Sequence, residues 1–342
     1  MGVKISKVIP KKEIRMEDLS GKVLAVDGFN ILYQFLTTIK DRETGEPFTN
    51  SKGNVTSHLS GLFYRSINML HAGIKLIFVF DGERPELKMD TVNHRAEIKK
   101  AAKIKLEEAL SAGDREAVMR HSGATMRLTD KMLSDAKRLL EVMGIPWVQA
   151  PSEGEAQAAH MAAKGDAYAV MSQDVDTLLF GTPRLVQNLS VTGRRKMPGR
   201  NMWIDVSPQM IESDKVLAEL DITREQLIIM GMLIGTDYNP QGIRGLGPAK
   251  ALKLVKEEKT LDAVLEKVDW TFECDPYKVF ELFTNPAVTD DYKIEFGQPD
   301  PEKIREVLID EFEFSPERIE NSLKKLDDIK RRNQQKNLFS WK

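Results

Sequence analysis

Short runs of apolar and β-branched residues alternate along this chain with longer amphipathic stretches. Such alternation predicts strands separated by helices, which is typical of α/β folds with parallel strands. The predicted fold is therefore a mostly parallel central sheet flanked by helices. The predicted strands cover residues 22–27, 75–81, 145–149, 167–173 and 184–188.

The strand pattern disappears between Gly82 and Asp130, where a charged helical pattern with breaks at Gly113 and at Ser122 and Gly123 replaces it. This pattern predicts a helical insertion, over about 82–130, that projects from the edge of the sheet. Its first half is basic, with six basic and two acidic residues between positions 88 and 105. The basic residues are Lys88, Arg95, Lys99, Lys100, Lys103 and Lys105.

Helical patterns dominate after Asp205. Thr223 is a plausible N-cap for a helix over 224–234, a glycine-rich turn follows at 242–247, and Pro248 opens the next helix. The predicted organisation is an α/β region at 1–105, which includes the start of the insertion, a second α/β region at 140–222, and a helical region at 223–330. The polar, basic residues 331–342 are predicted to form a flexible tail.

Composition narrows the class of protein. The 342 residues are 41% hydrophobic and 30% charged, which suits a globular protein with a substantial core. The single cysteine, Cys274, excludes an internal disulfide and a four-cysteine zinc site, and it favours a reducing compartment. The sequence contains neither a secretory signal nor an apolar run of the roughly 20 residues that a membrane span needs. We therefore expect a cytoplasmic protein without a membrane partner.

The net charge of −2 hides an uneven distribution of charge. A second basic cluster, at Arg194, Arg195, Lys196 and Arg200, adds to the basic insertion. Binding of a charged partner depends on such local patches more than on the total charge. Nucleic-acid binding is therefore compatible with the composition.

Three predicted strands lead into an aspartate, namely Asp27, Asp81 and Asp174. The carboxyl ends of parallel strands border the ligand crevice of an open sheet, so these side chains should converge there. Each aspartate alone could equally be a turn residue. Several carboxylates gathered in one crevice, however, require a cation.

Four more acids flank these positions. Glu153 and Glu155 surround a glycine at a predicted helix start, where they could instead complement the helix dipole. Asp176 follows Asp174 by two residues, and Asp237 lies just after the predicted helix 224–234. Oxygen ligands favour hard ions such as Mg²⁺, which usually takes one or two carboxylates and keeps waters. Seven acids could hold two such ions, an arrangement suited to phosphodiester hydrolysis.

Seven segments resemble the flap endonuclease family of structure-specific 5′ nucleases. They occur in that family's order and spacing, and the similarity extends from residue 1 to about 330. The shorter, archaeal type is the better match, because the chain ends without a long basic tail. The segments are MGV (1–3), VDGFNILY (26–33), TSHLSGLFYR (56–65), VFDG (79–82), PSEGEA (151–156), SQDVD (172–176) and GTDY (235–238).

The resemblance implies roles for individual residues. Lys88 and Arg95 would contact the scissile phosphate, Tyr33 would stack on a DNA base, and Gly2 would lie near the DNA. The alternative for Lys88 and Arg95 is a solvated helix face, and for Tyr33 an ordinary core position. The two-metal ligands implied by the family are Asp27, Asp81, Glu153, Glu155, Asp174, Asp176 and Asp237.

The resemblance also implies partners and further ions. The insertion would be a helical arch that passes a single-stranded 5′ flap. The turn with Gly242, Gly245 and Gly247 would be a helix-two-turn-helix motif that holds duplex phosphates, with K⁺ beside it. Two Mg²⁺ ions, for which Mn²⁺ can substitute, would serve catalysis, and the free protein would be a monomer. The residues implied to dock on a sliding clamp (proliferating cell nuclear antigen) are Gln335, Leu338 and Trp341, although Lys342 replaces the usual second aromatic.

Three other functions compete with this interpretation. A phosphatase of the haloacid dehalogenase type needs a second aspartate two residues after the first, where Phe29 stands. RNA-cutting nucleases with a similar sheet are much shorter, and a junction-binding protein without catalysis would not need mutually repelling acids. We therefore predict a 5′ flap endonuclease, with 5′–3′ exonuclease activity on nicked or gapped DNA, that acts in replication and repair.

Overall fold

A seven-stranded sheet forms the centre of the molecule, with strand order β1-β9-β6-β5-β2-β3-β4. The computed structural model describes residues 5, 8–41, 43–83, 89–191, 193–196 and 203–339, with the backbone alone for 89–99, 191, 193–196, 203–204 and 329–339. The strands are β1 (Lys12–Glu13), β2 (Val23–Asp27), β3 (Lys75–Phe80), β4 (Trp147–Gln149), β5 (Ala169–Met171), β6 (Arg184–Gln187), β7 (Gly193–Lys196), β8 (Trp203–Val206) and β9 (Gln209–Glu212).

The predicted fold class is confirmed. The five central strands β4, β3, β2, β5 and β6 are parallel to one another, and each lies within a predicted strand. They are apolar because both faces of the sheet are covered. Leu24 and Val26 of β2 face one core, whereas Ala25 faces the other.

The two strands beyond β6, β9 and β1, were not predicted. β9 pairs antiparallel with β6, and the two-residue β1 pairs antiparallel with β9. The expectation that the chain becomes helical after Asp205 is therefore wrong for residues 209–212. These strands are too short for their apolar alternation to identify them. The basic cluster at 194–196 lies in a separate two-stranded hairpin, β7 with β8.

Helices cover both faces of the sheet. The helix α8 is buried at every residue from Gln226 to Ile234, so it packs inside the protein and not on its surface. Among the described residues, no helix is both long and apolar enough to cross a membrane. The helices are α1 (Gly28–Thr38), α2 (Ser57–His71), α3 (Met89–Ala112), α4 (Arg115–Thr125), α5 (Asp130–Val142), α6 (Gly154–Lys164), α7 (Ser213–Leu220), α8 (Arg224–Ile234), α9 (Pro248–Glu258), α10 (Leu261–Leu265), α11 (Pro276–Thr284), α12 (Pro301–Arg305) and α13 (Pro316–Phe339).

The C-terminal helices divide between the two faces of the sheet. α8, α9 and α11 contribute to the core on one face, whereas α12 and α13 pack on the other. The connecting segment is held where Gly297 donates to the carbonyl of Gly144 at 2.9 Å. The helix α13 continues to Phe339, so the predicted tail is helical as far as residue 339. Residues 331–339 contain neither glycine nor proline, which explains why the helix continues.

The insertion forms two helices, α3 and α4, that pack on each other. Gly113, with φ of 65°, lies in the turn between them, as predicted. The predicted break at Ser122 and Gly123 is wrong, because α4 continues to Thr125. At this point α4 packs against α1, where the hydroxyl of Tyr33 donates to the carbonyl oxygen of Gly123 at 3.2 Å.

Lys40, just beyond α1, fastens α4 to the body of the protein. Its side chain is buried, and its ammonium donates to the carbonyl oxygen of Met119 at 3.0 Å and to Oγ of Ser122 at 2.7 Å. Burial lowers the pKa of the Lys40 ammonium. The position of α4 therefore depends on a desolvated cation and its two acceptors.

Replacing Lys40 with methionine should loosen α4 while preserving most of the buried stem. Two buried acceptors would lose their donor, at a cost of about 1–3 kcal/mol. Hydrogen–deuterium exchange should accelerate at the amides of residues 115–125. The exposed Lys103→Met on α3 is the control and should leave exchange there unchanged. Equal exchange in Lys40→Met and the parent would contradict the proposed attachment.

Candidate active site

The acids lie at the point where the sheet reverses its strand order. The chain passes from β2 to β3 and β4 on one side, then returns to β5 on the other side of β2. A crevice forms at such a switch point, outside the carboxyl ends of the strands. Asp27 is the last residue of β2, and Asp174 follows β5 by three residues. Two predicted acids therefore flank the switch point.

Asp27 is held by both neighbouring elements. As the N-cap of α1, its Oδ1 accepts from the backbone N–H of Asn30 at 3.0 Å, while its Oδ2 accepts from the hydroxyl of Ser172 at 3.0 Å. Only 3% of Asp27 is exposed. Burial, followed by repulsion from Asp81, raises the pKa of Asp27 to about 7. Keeping this carboxylate buried beside another acid therefore lowers the free energy of unfolding at neutral pH.

The end of β3 is tied to the beginning of α6. Asp81 directly follows β3, and its Oδ1 accepts from the backbone N–H of Gly154 at 2.7 Å. Gly154 is the first residue of α6 and separates Glu153 from Glu155. A Cβ at Gly154 would lie 2.9 Å from Oδ1 of Asp81, so glycine permits this close approach. One hydrogen bond therefore brings three of the acids together.

Glu155 is the electrostatic centre of the group. Burial raises its pKa well above the ordinary value, and repulsion from Asp174, Asp27, Asp176 and Glu153 raises it further, in that order. Together with the influence of Asp81 on Asp27, these interactions link six of the seven predicted acids. The structure therefore brings them into a single field of negative potential.

The loop after β5 positions Asp174 and Asp176. The N–H of Asp174 donates to Oγ of Ser172 at 3.1 Å, and the N–H of Asp176 donates to Oδ1 of Asp174 at 3.2 Å. Asp176 lies in the short 3₁₀ helix Val175–Leu178 and is 5% exposed. The Ser172 hydroxyl, which also donates to Asp27, thus connects the two strands at the switch point.

Asp237 and Tyr238 approach from the end of α8. The hydroxyl of Tyr238 donates to Oε2 of Glu153. Burial raises the pKa of Tyr238, and the charges of Glu153, Asp237 and Glu155 contribute in that order after it. The seventh acid, Asp237, therefore lies near the same group.

The donor set fits hard divalent ions that retain water. Within the described part of the chain, no three acidic, histidine or cysteine side chains converge closely enough to enclose an ion by themselves. Mg²⁺ does not require such a cage, since it usually takes one or two carboxylates and several waters. A bound cation would also relieve the repulsion that raises the pKa values of Asp27 and Glu155.

The remaining predicted site residues are less completely defined. Arg95 lies on α3, and Gln335 and Leu338 lie on α13, where the backbone alone is described. Tyr33 lies on α1 beside the core and contacts α4 through its hydroxyl. The positions that fall outside the described residues are Gly2, Lys88 and Trp341.

The glycine-rich turn connects α8 to α9 as expected. Gly242 has φ of 59°, and Gly245 has φ of 83°. Gly247 is the N-cap of α9, has an ordinary φ of −89°, and has open space where a side chain would lie. The N-terminus of α9 is therefore accessible to an anion, which helix N-termini bind through their amides and dipole.

Three residues that organise the acids were not assigned a role from sequence. Ser172, Gly154 and Tyr238 all occur inside the motifs that suggested the family, yet none carries a charge. The spacing of Ser172 gave one clue, since it precedes Asp174 by two residues at a strand end. The pairing of Tyr238 with Glu153 spans 85 residues and has no local signal.

Replacing Glu155 with glutamine should stabilise the metal-free protein. A carboxylate whose pKa is raised on folding weakens the folded state at neutral pH, so its removal should add about 1–2 kcal/mol to the free energy of unfolding. Thermal unfolding in EDTA measures this gain. Mg²⁺ should stabilise the parent more than the variant, because it binds the intact site better. The exposed Glu266→Gln is the control. If Glu155→Gln and Glu266→Gln had the same thermal stability in EDTA and the same stabilisation by Mg²⁺, the electrostatic account would be contradicted.

Comparison with known proteins agrees with this geometry. The chain matches the XPG N-terminal domain over residues 1–102 and the XPG I-region over residues 144–237. It is 51% identical to flap endonuclease 1 of Hyperthermus butylicus, over 100% of this chain and 99% of that protein. It is 50% identical to flap endonuclease 1 of Pyrococcus abyssi, over 100% of this chain and 98% of that protein.

A solved structure shows the same similarity. Flap endonuclease-1 from Methanococcus jannaschii matches with a TM-score of 0.76 and 42% sequence identity, covering 96% of this chain and 98% of that one. The resemblance inferred from the motifs is confirmed. On sequence and on fold, this chain belongs to the flap endonuclease 1 family.

Proposed function

We propose that this protein is a metal-dependent, structure-specific 5′ flap endonuclease that also removes nucleotides from 5′ ends at nicks and gaps. The observation that carries this proposal is the group of buried, mutually repelling carboxylates at the switch point of the sheet. Such a group is destabilising unless divalent cations bind there. Family membership supplies the reaction, which leaves a 5′-phosphate and a 3′-hydroxyl.

The proposed site residues fall into two groups, those that would bind metal ions and those that would bind DNA. Two Mg²⁺ ions, or Mn²⁺ in their place, would activate the attacking water and neutralise charge on the scissile phosphate. Ser172 and the amide of Asn30 fix Asp27, and the amide of Gly154 fixes Asp81. The proposed ligands are therefore oriented before DNA arrives, so little reorganisation is needed during the reaction.

The arch and the glycine-rich turn suit the two arms of a branched DNA. Lys100, Lys103 and Lys105 are exposed on α3, where they can attract a single strand without reading its sequence. Exposed Arg244 and Lys250 flank the accessible N-terminus of α9, where duplex phosphates can bind, with K⁺ proposed beside the turn. Recognition would then depend on branch shape and phosphate spacing. Contacts of Lys88 and Arg95 with the scissile phosphate stay predictions.

The end of α13 is proposed to bind a sliding clamp. Gln335 and Leu338 are spaced as in the predicted docking motif, with Trp341 beyond them. We expect the free protein to be a monomer that associates with the clamp through these residues. Trp341→Ala should abolish binding to an immobilised clamp without changing cleavage of free DNA. Unchanged clamp binding would contradict the assignment.

Cleavage of end-labelled 5′-flap DNA tests the proposed activity. The comparison substrates are single-stranded DNA, blunt duplex and RNA of matched sequence, each with Mg²⁺ and with EDTA. We expect incision at the flap junction that requires Mg²⁺. Binding without incision would instead favour a junction-binding protein, and preferential cutting of RNA would favour a ribonuclease.

A further inference from the structure

Tyr238 makes an unusual contact with the proposed site. It immediately follows Asp237, its side chain is 3% exposed, and its hydroxyl donates to Oε2 of Glu153. A hydrogen bond between a buried phenol and a carboxylate is charge-assisted and short. Glu153 therefore has a fixed neutral donor on one of its oxygens.

The aromatic ring and backbone of Tyr238 are themselves held in place. Phe283 packs edge-on against the ring, with centroids 5.7 Å apart, and Phe180 packs against Phe283 at 4.9 Å. The N–H of Tyr238 donates to Oγ1 of Thr236 at 3.1 Å, and the thiol of Cys274 donates to its carbonyl at 3.4 Å. These contacts position the hydroxyl independently of Glu153.

A cavity beside Glu153 explains why such a donor matters. The cavity has a volume of about 360 Å³ and lies between the start of α6 and α11. Glu153 lines it together with Ala156, Phe180 and Leu282. An unrestrained glutamate could turn into this space, away from the other acids. The hydrogen bond from Tyr238 opposes that rotation.

We propose that Tyr238 is a positioning residue that orients the carboxylate of Glu153 for Mg²⁺ binding in the crevice. This inference rests on the proposed function, since it assigns Glu153 to the metal site. Groups that orient metal ligands typically change metal affinity or activity by about 10–100-fold when they are removed. The effect should therefore be visible in metal binding as well as in cleavage.

The test compares the parent with Tyr238→Phe, which retains the ring and removes only the hydroxyl. Calorimetric titration of the DNA-free protein with Mg²⁺ should show binding weakened by about tenfold or more. Cleavage of flap DNA should need correspondingly more Mg²⁺ for half-maximal rate, while DNA affinity in EDTA stays within about twofold of the parent, since no proposed DNA contact is removed. All comparisons are made at a temperature where thermal unfolding shows both proteins folded.

Tyr277→Phe is the matched control. The hydroxyl of Tyr277 donates to Asp262 at 2.8 Å on an exposed surface, and Asp262 is not one of the proposed metal ligands. Removing this hydroxyl should therefore change neither Mg²⁺ binding nor cleavage. Equal Mg²⁺ affinity and cleavage in Tyr238→Phe and the parent would overturn the inference. If the parent itself failed to cut flap DNA, the proposed function would fail, while the Mg²⁺ titration would still decide the role of Tyr238.

Discussion

Replacing Asp176 with alanine should nearly abolish cleavage of flap DNA while leaving binding of that DNA intact. Asp176 is buried in the 3₁₀ helix after β5, and its charge acts on Glu155. Metal ions contribute several kcal/mol to transition-state stabilisation, and each 1.36 kcal/mol is tenfold in rate. If Asp176 is a metal ligand as proposed, its loss should slow single-turnover cleavage by about a thousandfold.

Binding and cleavage must be measured separately to interpret this variant. DNA affinity, measured in EDTA by fluorescence anisotropy, should be unchanged or slightly higher, because one negative charge is removed from the proposed DNA-binding surface. The exposed Asp269→Ala has the same change in charge and should cleave normally. Normal cleavage by Asp176→Ala would remove Asp176 from the metal site and weaken the two-ion assignment.

The five parallel strands and the acids near their ends were predictable because both leave local signals. Parallel strands buried on both faces are nearly continuous apolar runs, as in β2 and β3. An aspartate at the end of such a run must lie at the edge of the sheet, whatever the rest of the fold. Asp27, Asp81 and Asp174 could therefore be placed near one another from their positions in the chain alone.

Features that depend on distant partners could not be predicted in this way. β1 has two residues, which are too few to form a recognisable pattern. Its partner β9 lies almost 200 positions away along the chain, so no local signal indicates their pairing. Ser122 and Gly123 suggested a break, but α4 continues through them, and the hydroxyl of Ser122 accepts a hydrogen bond from Lys40. α11 and α12 both begin at a proline, yet they lie on opposite faces of the sheet.

The same distinction separates the carboxylates from the groups that orient them. A charged residue in an apolar context is conspicuous, whereas Ser172 and Tyr238 are ordinary residues at ordinary positions. Their importance comes from contacts across 145 and 85 residues, with Asp27 and Glu153. The sequence thus revealed the candidate ligands, while the structure was needed to identify what holds them.

Substitution of Gly242 in the glycine-rich turn should have the second large effect. The fold requires a glycine at this position but not at every glycine of the turn. A Cβ at Gly242 would lie 2.2 Å from the carbonyl oxygen of Ile234, and φ is 59°. Alanine costs roughly 1–2 kcal/mol in this left-handed conformation, and overpacking adds about 1–3 kcal/mol. Gly242→Ala should therefore lower the free energy of unfolding by about 2–5 kcal/mol. Denaturant unfolding measures this loss.

Gly247→Ala, in contrast, should leave the stability almost unchanged and weaken the binding of duplex DNA. Its φ of −89° suits any residue. In the part of the chain that the structure describes, no atom beyond the adjacent residues lies within 4 Å of the place that a Cβ would occupy. The free energy of unfolding should therefore change by less than about 0.5 kcal/mol. If duplex phosphates bind at the N-terminus of α9, the added methyl group would obstruct them. Loss of one charge-assisted hydrogen bond, about 1.5–3 kcal/mol, should then weaken duplex binding roughly tenfold or more.

Gly245→Ala separates backbone strain from obstruction of DNA. Gly245 has φ of 83° and equally open surroundings, so this variant should lose about 1–2 kcal/mol of stability through strain alone. Duplex affinity and unfolding are measured for all three variants. Normal duplex binding by a fully stable Gly247→Ala would mean that the phosphates bind elsewhere. Weakened binding at full stability would explain a glycine that the fold itself does not require.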